Sequence, residues 1–303
     1  MKSSMFYQEP VFRPPSEAKS LLVQCSIGCS YKCTFCAMYR TKKFSIRSLA
    51  DIVKDLELSR TQYGNSVRKI FLLDGNAFLM HPRMMVSICK EAYRIHPQLQ
   101  RVGCYGHAGD ILRRSDEELN EVREAGLGIV YLGVETGDDE LLTKIEKEAT
   151  SEEIALASQK LHNAGITLSA TILLGLAGNE VSLAQQHATR TAELVNRMKP
   201  PTRRPWYISA LSYIPVPDTE MYEEARRGEY ISPEPSDLLC ELGTFFEHLE
   251  DNLSGCIFRS NHASNYLPLQ SNDLGRDRQK LSKMVQSALE DPTILRSEWM
   301  RGL

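Results

Sequence analysis

No stretch of this chain is apolar for long enough to cross a bilayer; the most apolar run, "SATILLGLAG", falls far short of the ~20 residues a spanning helix needs. Charge of one sign is also lacking, since 36 Lys and Arg face 39 Asp and Glu and leave a net charge of −3. That balance argues against a dedicated nucleic-acid or membrane-surface binder, though not against a local basic patch. The opening "MKSSMFYQEPVFRPPSEAKS" has no apolar run and is no signal peptide. Eight cysteines without an export signal imply a reducing cytosol, where thiols bind metals or sit in the core, so a cytoplasmic protein is expected. No internal repeat or low-complexity segment breaks the chain.

What is present is alternation. The 303 residues, 42% of them hydrophobic, suffice for a full core and match the usual size of an α/β barrel. The first apolar run is "LLVQCSI", Leu21 to Ile27. A helical pattern follows with Leu49, Ile52, Val53 and Leu56 on one face, opening near Ser48 and closing at Gly64. Then come "IFLLDG", a helix after Pro82, "VGCY", a helix begun by the Ser115/Glu118 capping box and stopped by Gly126, and "IVYLGVETG". A second capping box, Thr150 with Glu153, opens a helix closed by Gly165; "LSATILLG" and "WYISALSYI" complete the series, with a helix from Asp218 to Gly228. Six apolar runs, each followed by a helix, mean a parallel sheet. The expected fold is α/β, a partial (β/α)6 TIM-like barrel with a C-terminal helical extension; an open doubly wound sheet competes, and periodicity does not separate the two. The expected parts are a tail (1–20), a core (21–230), and an extension covering the barrel (231–303).

"GCSYKCTFCAMY" places Cys29, Cys33 and Cys36 within eight residues, just past the first strand, at the end where parallel α/β folds gather their chemistry. Thiolates at such gaps suit iron–sulfur or zinc. Zinc needs a fourth ligand, from Cys25 or a distant His, yet Cys25 lies inside the strand and no second close-spaced pair exists. Three cysteines on three irons of a [4Fe–4S] cluster would leave one iron open.

The loop "CSYKCTFC", with Phe35 before its last cysteine, resembles the C-x3-C-x2-C loop of the radical S-adenosylmethionine (SAM) enzymes, and the strand–helix order from Leu21 to Gly228 follows theirs. The core is similar to that of the anaerobic coproporphyrinogen oxidases, although the extra cysteine soon after their triplet is absent. The resemblance implies a [4Fe–4S] cluster on Cys29, Cys33 and Cys36 whose open iron holds SAM, cleaved to a 5′-deoxyadenosyl radical that abstracts hydrogen from substrate. It implies SAM contacts from Phe35, from the turn Asp74-Gly75-Asn76 (where the family carries Gly-Gly-Glu), from Glu135 in "GVETG", from the Gly175 turn of "ILLGLAGNE", and from Tyr213. It also implies an electron donor such as flavodoxin or ferredoxin. A small-molecule substrate is the expectation, with no membrane and no nucleic-acid partner. With no space before Leu21 for a cobalamin domain and no evident RNA-binding domain, cobalamin methylation and tRNA thiomethylation are not expected. Two alternatives stay open: sulfur insertion of the lipoyl or biotin synthase type, with an auxiliary cluster among Cys25, Cys104, Cys240 and Cys256, and a non-enzymatic zinc or iron–sulfur protein.

Three further stretches matter. Cys89 and Cys104 read as core. Arg40, Lys42, Lys43 and Arg47 follow the cysteine loop and are expected to receive an acidic electron donor or an anionic substrate. "FRSNHASNYLP" gathers an imidazole, a guanidinium, a phenol and several amides, and His262 and Tyr266 are its candidate catalytic groups beneath a lid over the barrel mouth.

Overall fold

The alternation of apolar runs and amphipathic segments becomes an alternation of strands and helices in the computed structural model, which describes residues 5–301. The chain divides into two compact units. The first comprises Met1–Lys32, Met38–Leu132 and Lys160–Leu168. Here β1 (Leu21–Gln24) leads to a short antiparallel pair, β2 (Ser26–Ile27) with β3 (Ser45–Ile46), which brackets the cysteine segment in sequence. Helix α1 (Leu49–Tyr63) returns the chain to β4 (Lys69–Leu73), and α2 (Pro82–Ile95) to β5 (Arg101–Gly106). The short α3 (Ala108–Leu112) and then α4 (Asp116–Glu124) bring it to β6 (Leu127–Glu135). Strands β1, β4, β5 and β6 pair in that order, all parallel. Four of the five β4 residues are buried, as a strand covered on both faces requires. The helix ends fall where their caps dictate: the Ser48 side chain accepts from Asp51 N–H, and the Ser115/Glu118 capping box is closed in both directions.

Residues ahead of β1 are docked on this unit. Gln8 N–H donates to Gln24 Oε1 at 2.7 Å and Tyr7 donates to Leu22 O at 2.7 Å. The buried Glu17 carboxylate accepts from Tyr131 at 2.5 Å and also bonds Ser20 and Arg101. Phe71 meets Tyr105 and Tyr131 edge-on, with ring centroids 5.0 and 5.6 Å away.

The second unit comprises Cys33–Ala37, Gly133–Gln159 and Ser169–Leu303. It takes the last residues of β6, then α5 (Asp139–Lys144), most of α6 (Ser151–Asn163) and of β7 (Thr167–Leu174), α7 (Val181–Met198), β8 (Trp206–Ser212), α8 (Glu220–Arg226) and α9 (Pro235–His248). It continues with β9 (Cys256–Arg259), β10 (Gln270–Ser271), α10 (Leu274–Glu290) and α11 (Glu298–Arg301). β7, β8 and β9 are parallel, and β10 lies antiparallel to β9. The fold is thus α/β with a mostly parallel sheet that does not close, of the partial-barrel type. The C-terminal part is more than helical: "CIFR" extends the parallel sheet beyond six strands, with Cys256 and Phe258 buried and Ile257 and Arg259 half-buried between them. Phe258 packs against Phe245 and Phe246 of α9.

Candidate active site

In the first unit the cysteine loop is built around Asp74. Gly28 turns the chain with φ of 75°, and its N–H donates to Asp74 Oδ2 at 2.9 Å. The same oxygen accepts from Gln24 at 2.8 Å and from the Lys42 ammonium at 2.9 Å, while Asp74 N–H donates to Ser26 Oγ. The Asp74 side chain therefore ties the start of the loop, its end and β4 together. The next residue carries the close contact. A Cβ on Gly75 would lie 2.5 Å from the Tyr39 ring and 3.0 Å from Cys29 Cβ, so only glycine lets this turn lie against the loop. Asn76 is buried; its amide donates to Asp110 Oδ2 at 2.6 Å and to Ser30 Oγ at 3.2 Å, and its Oδ1 finds no partner among the described residues.

Asp110 leads to residues that sequence reasoning missed. Tyr31, within the cysteine loop, donates to Asp110 Oδ2 at 3.2 Å and stacks on His107 with centroids 3.7 Å apart. Burial, reinforced by Asp110, pushes the Tyr31 phenol up to about 12. His107 and Asp110 follow β5 directly, and that strand-end position was the available signal. No motif spacing marks them.

In the second unit, Thr34 N–H donates to Ile145 O at 3.0 Å and its carbonyl accepts from Met221 N–H, which pins the later half of the loop between α5 and α8. Phe35 packs with Ile145, Leu176, Tyr213, Met221 and Tyr230, its ring edge-on to Tyr213 at 6.4 Å. Tyr213 OH is buried without a partner among the described residues, and burial followed by the Glu224 charge raises it to about 12. Glu135 ends β6 at φ 63°, and its carboxylate pairs with the buried Lys147 ammonium at 2.7 Å. A Cβ on Gly133 would fall 2.1 Å from Glu135 Oε1, so the pair occupies the space that glycine leaves. Burial raises the Cys33 thiol while Lys147 opposes it; burial lowers Lys147, but Glu135 and Cys33 outweigh that and raise it. Lys147 was not foreseen, because "IEKE" reads as an ordinary charged helix end.

Gly175 has φ of 83°, and a Cβ there would meet Leu238 and Pro233 at 3.0 Å. Its N–H donates to both Glu241 oxygens at 3.0 Å, and its carbonyl accepts from Tyr230 OH at 2.8 Å and from Gly178 N–H at 3.0 Å. Packing at the start of α9 thus suffices to explain the glycine.

The polar segment after β9 lies at the carboxyl end of β8. Ser212, the last residue of that strand, donates its N–H to Ser264 Oγ and its hydroxyl to Asn265 Oδ1. His262 Nδ1 bonds within the segment, to Ser264, and burial lowers its pKa. Tyr266 donates to Glu298 at 2.5 Å beneath the Arg301 guanidinium, 3.9 Å from its ring.

One expectation requires correction. The basic run after the cysteine loop is no solvated docking face: Lys42 is 3% exposed and paired with Asp74, and Arg47 is paired with Asp55 at 2.7 Å. The loop folds back onto β4 and takes these cations inward, which leaves Lys43 exposed and Arg40 half-buried. Cys25, Cys89, Cys104 and Cys256 are buried, burial raises all four thiols, and Cys240 is exposed. Among the described residues no three His, Cys, Asp or Glu side chains converge on a single ion position. Thiolates that each hold a different iron have no need to.

A model of the Radical SAM superfamily matches residues 23–184, more than half of the chain. The anaerobic magnesium-protoporphyrin IX monomethyl ester cyclase of Rubrivivax gelatinosus is 27% identical over 199 residues, 65% of this chain and 33% of the cyclase. The chain spans a third or less of the length of the curated relatives it matches. Among solved structures, methylornithine synthase (PylB) aligns with a TM-score of 0.52 at 16% identity, covering 76% of this chain and 63% of that one. Coproporphyrinogen III oxidase (HemN) of Escherichia coli aligns with 0.52 at 17% identity, over 75% of this chain and 52% of HemN. At such identities these structures establish the shared fold.

Proposed function

The chain belongs to the radical SAM superfamily, and from that premise we propose that Cys29, Cys33 and Cys36 are the three protein ligands of its cluster and that the strand-end turns around them hold SAM. Like its relatives it is an enzyme, and the cofactors of the family are a [4Fe–4S] cluster and SAM. When bound, these supply a 5′-deoxyadenosyl radical that takes a hydrogen atom from substrate. The donor chemistry of the chain fits both groups: three thiols suit iron, and two buried oxygens without a partner among the described residues, Asn76 Oδ1 and Tyr213 OH, suit a polar cofactor.

One observation carries the reading. The Asp74-Gly75-Asn76 turn is glycine at the one position where a side chain would strike Cys29 and Tyr39. The residues that would hold SAM are Asn76, whose Oδ1 could accept from its amine, Lys147, which could offset its carboxylate, Glu135 for polar groups, and Phe35, Tyr213 and the Gly175 turn for the adenine. The Asp74 carboxylate acts indirectly, by fixing the loop. The substrate is a small molecule, and residues 231–303 cover the barrel over it. His262 faces the substrate from the segment at the end of β8, whereas Tyr266, with its hydroxyl committed to Glu298, has the smaller part. A flavodoxin- or ferredoxin-like donor supplies the electron without using Lys42 or Arg47.

Anaerobically reconstituted protein should hold about four irons and four sulfides per chain. With dithionite and SAM it should release 5′-deoxyadenosine. A Cys33→Ala protein that still cleaves SAM at the wild-type rate would refute the ligand assignment.

A further inference from the structure

A chain of buried polar contacts lies behind the Gly175 turn and joins three elements of the second unit. Glu241 of α9, 3% exposed, turns both carboxylate oxygens to Gly175 N–H. Its Oε1 lies 3.1 Å from Nε2 of His187 on α7, itself 2% exposed, and that nitrogen is also 3.0 Å from Leu173 O. Nδ1 of the same ring is 2.7 Å from the Thr136 hydroxyl, whose oxygen accepts Asp138 N–H at 2.9 Å. One helical turn on, Thr191 accepts Gly137 N–H at 3.0 Å. A neutral imidazole satisfies every one of these contacts, donating from Nε2 and accepting the Thr136 proton at Nδ1. The residues after β6 and the turn after β7 are therefore held by one continuous set of side chains from α7 and α9.

Such an arrangement is an expensive way to stabilise a fold. A buried carboxylate beside an imidazole loses its hydration, and apolar residues of the same volume often do as well. What apolar residues cannot do is aim a peptide N–H. Glu241 fixes the direction of the Gly175 peptide, and through His187 that direction is referred to Thr136, the neighbour of Glu135.

We infer that His187 and Glu241 are positioning residues that set the Gly175 turn relative to Glu135 for SAM binding. This rests on the SAM site proposed above. It also makes α9 part of the cofactor site's support although, in this reading, none of its residues touches the cofactor.

The test compares Glu241→Ala and Glu241→Gln with wild type, each with a reconstituted cluster, by iron and sulfide content, thermal unfolding and SAM affinity from equilibrium dialysis. Glu241→Ala should weaken SAM binding by about tenfold, because the Gly175 turn is no longer held in place, with cluster content unchanged. Glu241→Gln keeps one acceptor for Gly175 and should weaken binding less; it carries the test if the alanine protein does not fold. In turnover, KM for SAM should rise while kcat at saturation holds. Folded variants that bind SAM within about twofold of wild type, and merely unfold earlier, would overturn the positioning role and leave the site reading intact. Wild-type protein with a full cluster that binds no SAM would overturn both.

Discussion

Three donors converge on one oxygen of Asp74, and one of them, Lys42, is a charge with almost no access to water. Removing the cation strands the carboxylate, so Lys42→Met should cost about 3–5 kcal/mol of stability, measured by denaturant unfolding. The double variant Lys42→Met/Asp74→Asn should recover part of that loss. Lys42 was misread because the sequence displays its basic neighbours and hides its partner, 32 residues away on another strand end. Lys147 was missed for a related reason, since a charge taken inward looks like any other in a helix-end run. The cysteine triplet stands out in the sequence because its three thiols fall within a single short loop. His187 yields a pH prediction. Burial opposes its charge, but Glu241 from α9 and Asp138 after β6 raise its pKa above the usual value. A raised folded-state pKa gives stability that is complete below about pH 6.5 and is lost as pH rises through the folded value. The stability difference between wild type and Glu241→Gln should therefore be widest near pH 6 and narrow in more alkaline buffer, as chemical denaturation across a pH series would show.

Between elements, backbone comes close to backbone where the residues after β6 meet α7. A Cβ on Gly137 would stand 2.2 Å from Arg190 O and 2.8 Å from Thr191 Cα, backbone atoms that cannot swing aside. Gly137→Ala should destabilise the protein by about 1–3 kcal/mol, read from the unfolding midpoint. Most element boundaries were legible, because Ser48, Ser115 and Thr150 announce helix starts by local hydrogen bonds that need no tertiary context. β9 was not. Its four residues are too few to show a period, and the polar segment that follows made Phe258 and Arg259 read as loop. Pairing with β8, 50 residues earlier in register, and with β10 makes a strand of them.

At the scale of the whole molecule, the strand–helix succession was legible because strands buried on both faces leave long apolar runs; the C-terminal helices were legible too, but not the strands between them, whose partners are distant in sequence. Arg301 is 6% exposed; it donates to Ser264 O at 2.8 Å and covers the Tyr266 ring, so the last helix clasps the segment containing His262. Arg301→Ala should speed amide hydrogen exchange across residues 262–266 and leave exchange in β4 to β6 as it was, which mass spectrometry can resolve by peptide. On the SAM site proposed above, the Gly175 turn would bear on ligand choice as well. Its donor faces Glu241, and its acceptor already receives two hydrogens. Neither backbone group of Gly175 is therefore left to read the edge of a nucleobase, and a flat ring beside this residue would be judged by thickness alone. Discrimination among purines would fall to other groups, and SAM analogues altered on the base edge that faces Gly175 should be tolerated there.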